Sequence, residues 1–114
     1  HPFDRVRTSA MGWDTFKELA CYVDIIETFN ARNLFNDDDE KAVDAAYKYR
    51  LLFTVVSDAH TAKELGRTYA EIPDFDGTPE GFKEALSQAT LIRRRTKIIH
   101  RLAPAYAKLR KPFT

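Results

Sequence analysis

The sequence predicts an α/β fold built of parallel βα units with covering helices, and three observations carry that prediction. First, a continuous apolar run, Leu51-Leu52-Phe53-Thr54-Val55-Val56, stops abruptly at Ser57-Asp58-Ala59-His60-Thr61. A run of this length between polar residues reads as a strand buried on both faces. Second, residues 24–30 (Asp-Ile-Ile-Glu-Thr-Phe-Asn) are rich in β-formers, and the segment between the two runs has the charge polarity of a helix. Third, helical and strand patterns alternate through residue 90, the order expected of a parallel sheet. The chain has 114 residues, 44% hydrophobic and 31% charged, which suits one globular domain.

The elements follow in order. Residues 1–9 read as a loop, with Pro2 at the front and alternating charge in Phe3-Asp4-Arg5-Val6-Arg7. Asp14 is placed to cap a first helix, and Phe16, Leu19, Ala20 and Val23 follow at helical spacing. Cys21, next to that apolar face, reads as a small buried residue. The strand at 24–30 comes next. The helix at about 37–50 has the clearest ends. Asn36 or Asp37 can cap it, Asp37, Asp38, Asp39 and Glu40 suit its positive first turn, and Lys48 and Arg50 suit its negative last turn. Val43, Ala46 and Tyr47 are its expected inner face. The acidic run reads as a response to the helix dipole, because its residues fan around the turn and do not converge as metal ligands must.

After the buried strand at 51–57, Thr61-Ala62-Lys63-Glu64 has capping-box spacing, and Gly66 can end that short helix. Residues 68–72 read as a strand stopped by Pro73. Asp76-Gly77 is a turn, and Thr78-Pro79 is an N-cap followed by proline in the first helical position. Phe82, Ala85, Leu86 and Ala89 give that helix its face. From about Arg93 a basic segment carries Ile98, Ile99, Leu102, Tyr106 and Leu109, broken or kinked at Pro104. Two divisions result: residues 1–92 as an α/β body and 93–114 as a basic amphipathic tail.

Composition excludes several classes. No apolar stretch approaches a membrane span. The lone Cys21 leaves no disulfide framework and no cysteine-rich zinc site, and suits a reducing, cytoplasmic setting. Glycines are few and scattered, so there is no phosphate loop, and no Ser-His-Asp set is legible. The chain opens on His1-Pro2 without an initiator Met or signal peptide, which reads as a piece of a longer protein. The net charge of +1 hides a split: all seventeen Asp/Glu lie in residues 1–90, and residues 91–114 hold eight Lys/Arg and no acid. The apolar residues of the tail favour packing on the acidic body or on a second copy. With Tyr106 and Phe113 interleaved, nucleic-acid binding by phosphate neutralisation is the less favoured reading, and a membrane-surface helix less still.

Four polar groups fall near expected strand ends: His1, residues 27–32, Asp58 with His60, and Arg67 with Tyr69. In a parallel arrangement such ends share one face, where chemistry collects. Asp58 and His60 are two apart, so on a continuing strand their side chains point one way and suit a divalent metal. The alternative is an Asp capping the following helix beside a surface His. Glu27 is either a metal ligand or base, or the partner of Arg32 or Arg5. His100 reads as an exposed or packing residue.

At these residues the sequence resembles the PHP (polymerase and histidinol phosphatase) family, specifically its small metal-dependent phosphoesterases. The resemblance runs in order through His1-Pro2-Phe3-Asp4-Arg5 with Arg7, Ile26-Glu27-Thr28-Phe29-Asn30-Ala31-Arg32, Ser57-Asp58-Ala59-His60-Thr61, Leu65-Gly66-Arg67-Thr68-Tyr69 and Pro73-Asp74-Phe75. It covers about residues 1–90 and looks like the C-terminal, PHP-associated half of such a domain. The resemblance implies a part of a distorted seven-stranded α/β barrel, incomplete in this chain. It implies hydrolysis of phosphate esters with divalent metals (zinc, manganese or iron) at the carboxyl ends of the strands. His1 would match the histidine of the family's third motif, and Asp58 and His60 the Asp-x-His pair of its fourth, as metal ligands. Arg32 and Arg67 are candidate phosphate contacts, because a guanidinium meets two phosphate oxygens at once. The family's first motif, its second-motif His and its usual ligand Glu are absent. The resemblance therefore implies an N-terminal half of the same domain as partner, no activity for this portion alone, and strand edges that need cover, by self-association for example. A non-catalytic binding module is the alternative.

Overall fold

The structure, a computed structural model, describes residues 1–97. The basic segment 98–114, with His100, the apolar stripe of Ile98, Ile99, Leu102 and Leu109, and the aromatics Tyr106 and Phe113, lies outside the described residues.

Alternating burial marks the first strand. β1 (Ile25–Asn30) turns Ile26, Thr28 and Asn30 inward, and β2 (Leu52–Val56) lies beside it in parallel, with Ile26 opposite Phe53. The register shifts between Glu27 and Phe29. Helix α2 (Asn36–Tyr49) joins the two strands, as the charge pattern predicts. Its inner face is Ala42, Ala45 and Ala46, all fully buried. Val43 is only partly buried and Tyr47 is 71% exposed, so the expected inner face was misplaced by part of a turn. The alanines bring the helix close to the sheet, and Tyr47 packs edge-on against Phe53 from outside, ring centroids 5.0 Å apart.

Helix α1 (Gly12–Leu19) starts earlier than expected, so Asp14 lies in its first turn and does not cap it. A 3₁₀ turn, Ala20–Tyr22, follows; it buries Ala20 and leaves Cys21 exposed, against expectation. The turn changes the periodicity at the point where continued helix was assumed. Phe16 of α1 meets Phe3 and Tyr49 edge-on at 5.4 and 5.5 Å, and Phe3 stacks on Trp13 at 4.7 Å. These rings join Ile26 and the α2 alanines in one core. The buried Phe3 thus anchors the loop that carries His1, Asp4, Arg5 and Arg7.

The second half is smaller. A 3₁₀ turn, Ala62–Glu64, is followed by β3 (Tyr69–Glu71), α3 (Pro79–Ser87) and β4 (Thr90–Ile92). Thr78 caps α3 as its sequence predicts, its Oγ1 accepting the Gly81 N–H at 3.0 Å. β3 pairs with β4, and the pair is antiparallel. The parallel order therefore holds for β1 and β2 and not for the rest: β4, a strand of three residues, returns alongside β3 in the opposite direction. Only Val55 of β2 is fully buried, so this strand is half-covered where burial on both faces was expected. β3, β4 and α3 lie against β2 and leave gaps. The described residues form an α/β arrangement of two two-stranded sheets.

Candidate site at the carboxyl ends of the parallel strands

Because β1 and β2 are parallel, their carboxyl ends open on one edge, and the N-terminal turn of α2 follows directly from β1. The Ala31 N–H extends the ladder to the Val56 carbonyl at 3.0 Å. Beyond it the strand geometry ends. Asp58 takes a left-handed conformation, φ 49°. Asp58 and His60 are therefore not an alternating strand pair, as expected from their spacing. They meet differently: His60 Nδ1 lies 2.7 Å from the Asp58 backbone carbonyl, while its ring stays exposed. The Asp58 carboxylate pairs with Arg7 and accepts the Asn30 Nδ2–H at 3.2 Å.

His1 sits deeper. Its side chain is 0% exposed. Nδ1 accepts the Phe3 N–H at 3.2 Å, and the main-chain nitrogen of His1 donates to Glu27 at 3.0 Å. Glu27 thus takes neither of the arginines proposed for it; Arg5 pairs with Asp38 and Arg32 with Glu64. His1 Nε2 lies 2.9 Å from Asp39 Oδ1, and among the described residues this buried nitrogen makes no hydrogen bond.

Asp39 is the residue that sequence reasoning missed. It is buried, and its Oδ1 also accepts the Asn30 N–H at 3.2 Å and the Asn33 Nδ2–H at 2.9 Å, while Arg95 pairs with Oδ2. Asn30 therefore connects the two halves of the site, Asp39 through its backbone and Asp58 through its side chain. Asp38 is equally buried and receives both the backbone N–H and the guanidinium of Arg5, at 2.9 Å each. Burial alone would raise the Asp38 pKa, but these hydrogen bonds and the Arg5 charge hold it below its ordinary value. A signal was present in the sequence. Residues 38, 39, 42, 45 and 46 share one helical face, so two of the four acids had to point inward whatever their effect on the dipole.

Arg32 and Arg7 are paired to the carboxylates of Glu64 and Asp58. Glu64 is 1% exposed on its side chain and accepts from the His60 N–H at 2.9 Å, the Thr61 N–H at 2.7 Å and the Thr61 hydroxyl at 2.9 Å, in addition to Arg32. Burial opposes its charge, yet these donors pull its pKa down to about 2. Asp58 is likewise lowered: desolvation works against it, and the bonds from Arg7 and Asn30 outweigh that, aided by the Arg7 and His60 charges. Arg32 also donates its main-chain N–H to Asn30 Oδ1 at 2.9 Å. Arg67 Nε is buried and has no hydrogen-bond partner among the described residues. Arg7 and Arg32 line one pocket of about 200 Å³, with Asp4, Val6 and Leu34.

Metal binding needs several donors around one point. Among the described residues, no group of three His, Cys, Asp or Glu side chains is gathered closely enough. His1, with its unsatisfied Nε2, has the character of one donor in such a set; Asp58 and His60 lie beyond Asn30 and do not join it. The described residues do not by themselves fit a complete metal centre.

A family model described as PHP-associated matches residues 36–91, from the start of α2 into β4. No curated protein and no solved structure matches the chain. No helix among the described residues is long and apolar enough to cross a membrane.

Proposed function

We propose, from the premise that residues 36–91 of this chain are a PHP-associated segment, that the chain is the C-terminal part of a divalent-metal-dependent phosphoesterase. Its fold is then one portion of a PHP-type α/β barrel, and the N-terminal half of the same domain supplies the missing strands and donors. The observation that carries this reading is that Arg7 and Arg32 line one pocket and that Arg7 is paired to Asp58, just beyond the end of β2. Phosphoryl oxygens are well matched by such forks, each of which offers two parallel N–H donors. Asp58 and Glu64 orient the two forks, and Arg67, whose buried Nε has no hydrogen-bond partner among the described residues, is proposed as a further phosphate contact. His1, Asp58 and His60 are this chain's contribution to the metal ligands. Bound metal, zinc, manganese or iron, would supply an activated water and neutralise phosphoryl charge. Everything else is the work of the chain's own residues: binding the ester and fixing its orientation.

The test uses a chain extended upstream to include the N-terminal half of the domain. It is expected to hydrolyse p-nitrophenyl phosphate with manganese or zinc. Asp58→Ala should abolish turnover and leave the chain folded, with a cooperative melt, because Asp58 is not part of the core. Retained activity in that variant would remove Asp58 from the mechanism. A second reading, a non-catalytic PHP-associated module, draws on the absence of a gathered donor set among the described residues. It would be favoured if the extended chain bound phosphate but no metal.

A further inference from the structure

The segment after β4 is fixed to the body at two neighbouring points. The Thr68 hydroxyl accepts the Arg94 N–H at 2.9 Å and donates to the Arg94 carbonyl at 2.8 Å. Two residues on, the Thr96 N–H donates to the Ala31 carbonyl at 2.8 Å, and Thr96 is buried. Arg95, held between these anchors, spans two elements. Its Nη1 donates to the Asn30 carbonyl at 2.8 Å, at the end of β1, and its Nη2 to Asn36 Oδ1 at 2.7 Å and to Asp39, in the first turn of α2. The guanidinium also lies over the Phe29 ring, 4.3 Å from its centroid. Four contacts fix both the position and the plane of this group. A fork of that kind is set by geometry as well as by charge.

From this arrangement we infer that Arg95 is a positioning residue for the site: it fixes the Asp39 carboxylate and, through it, the His1 ring. With Arg95 on Oδ2, Asp39 presents Oδ1 to Asn30, Asn33 and His1 Nε2. The His1 ring then accepts the Phe3 N–H at Nδ1, and its Nε2 lies 2.9 Å from Asp39 Oδ1, a close contact without a hydrogen bond. Arg95 lies outside the segment that the family model matches. The inference rests on the proposed function only in treating His1 as a site residue.

The experiment is ring-nitrogen NMR of His1 in the full chain, at a pH where the ring is neutral. Since Nδ1 accepts a hydrogen bond, the proton of the neutral ring belongs on Nε2, and the wild-type spectrum should show that tautomer. Arg95→Ala should move the His1 ring-nitrogen signals toward the average of the two tautomers and shift the Phe3 amide. Arg95→Lys keeps the charge without the fork and should resemble Arg95→Ala. His1 signals unchanged in Arg95→Ala, or restored to wild type by Arg95→Lys, would overturn the inference. Should Arg95→Ala not fold, as judged by its melt, Asn36→Ala removes one acceptor at an exposed position. It should move the same signals in the same direction by less, and unchanged signals there would also overturn it. Phosphatase assays do not enter this test, so the two readings fail separately.

Discussion

Glu64 shows how a single carboxylate organises this site. It is buried, its three protein donors come from His60 and Thr61, and its remaining charge is matched by Arg32. Breaking a buried pair leaves one charge without compensation. Glu64→Gln should therefore lower stability by on the order of 3 kcal/mol, read as a shift in the urea midpoint at pH 7. The pH dependence follows from the depressed pKa. The unfolded carboxyl titrates near 4.5 and the folded one at about 2. The stabilisation is thus complete above about 4.5 and lost as pH falls from there through about 2. Between those values the wild type should weaken with acid more steeply than Glu64→Gln; parallel curves would show that Glu64 titrates alike in both states. The capping-box spacing of residues 61–64 made this residue legible as the end of a short helix. Its ion pair with Arg32, from a segment more than thirty positions away, has no local signature. The same limit hid Asp39, whose neighbours His1, Asn30 and Arg95 converge only once β1, α2 and the segment after β4 are in place.

At the level of elements, local pattern was most informative where it was long. The expected strand at 24–30, helix at 37–50 and strand at 51–57 correspond to Ile25–Asn30, Asn36–Tyr49 and Leu52–Val56, with the two strands parallel. Each has a pattern several residues long: β-formers in the first, a charge gradient along the helix and a continuous apolar run in the last. β4 has only Thr90, Leu91 and Ile92, too few residues to show any period, and its antiparallel pairing with β3 was not foreseen. The end of α2 carries an unusual feature. Its C-cap is Arg50, at φ 56° and ψ 44°, in the left-handed region where glycine is the common choice. The side chain is exposed, and the cap hydrogen bonds to the Ala46 and Tyr47 carbonyls come from the backbone. Arg50→Gly keeps those bonds and removes the steric penalty of the Cβ. Glycine's greater freedom in the unfolded chain offsets part of the gain. A net stabilisation of about 0.5–1 kcal/mol is expected from urea denaturation, and a loss of that size would show that the arginine side chain contributes to the cap.

For the whole molecule, the question is whether this chain can do chemistry by itself. Its sheets are two strands each, and such pairs gain their stability from what packs on them. Here the core of Phe3, Phe16, Ile26 and the α2 alanines does that on one side of β1 and β2. The same core fixes the loop bearing His1 and Arg7, so Arg7, one of the proposed phosphate contacts, is held in place by it. The proposed metal ligands are not. His1 lies against Asp39, and Asp58 is turned to Arg7 and Asn30. His60 is exposed, with its Nδ1 on the Asp58 backbone carbonyl. A hydrolytic metal must be held by several donors at once while leaving a position open for water. Rearranging these three around one ion would break the Arg7–Asp58 pair and the Asn30 bridge together. The 114-residue chain should therefore not hydrolyse p-nitrophenyl phosphate above background with added manganese or zinc, assayed beside the upstream-extended domain. Metal-dependent turnover by the chain alone, lost on His60→Ala, would mean that its donors gather more readily than this arrangement allows.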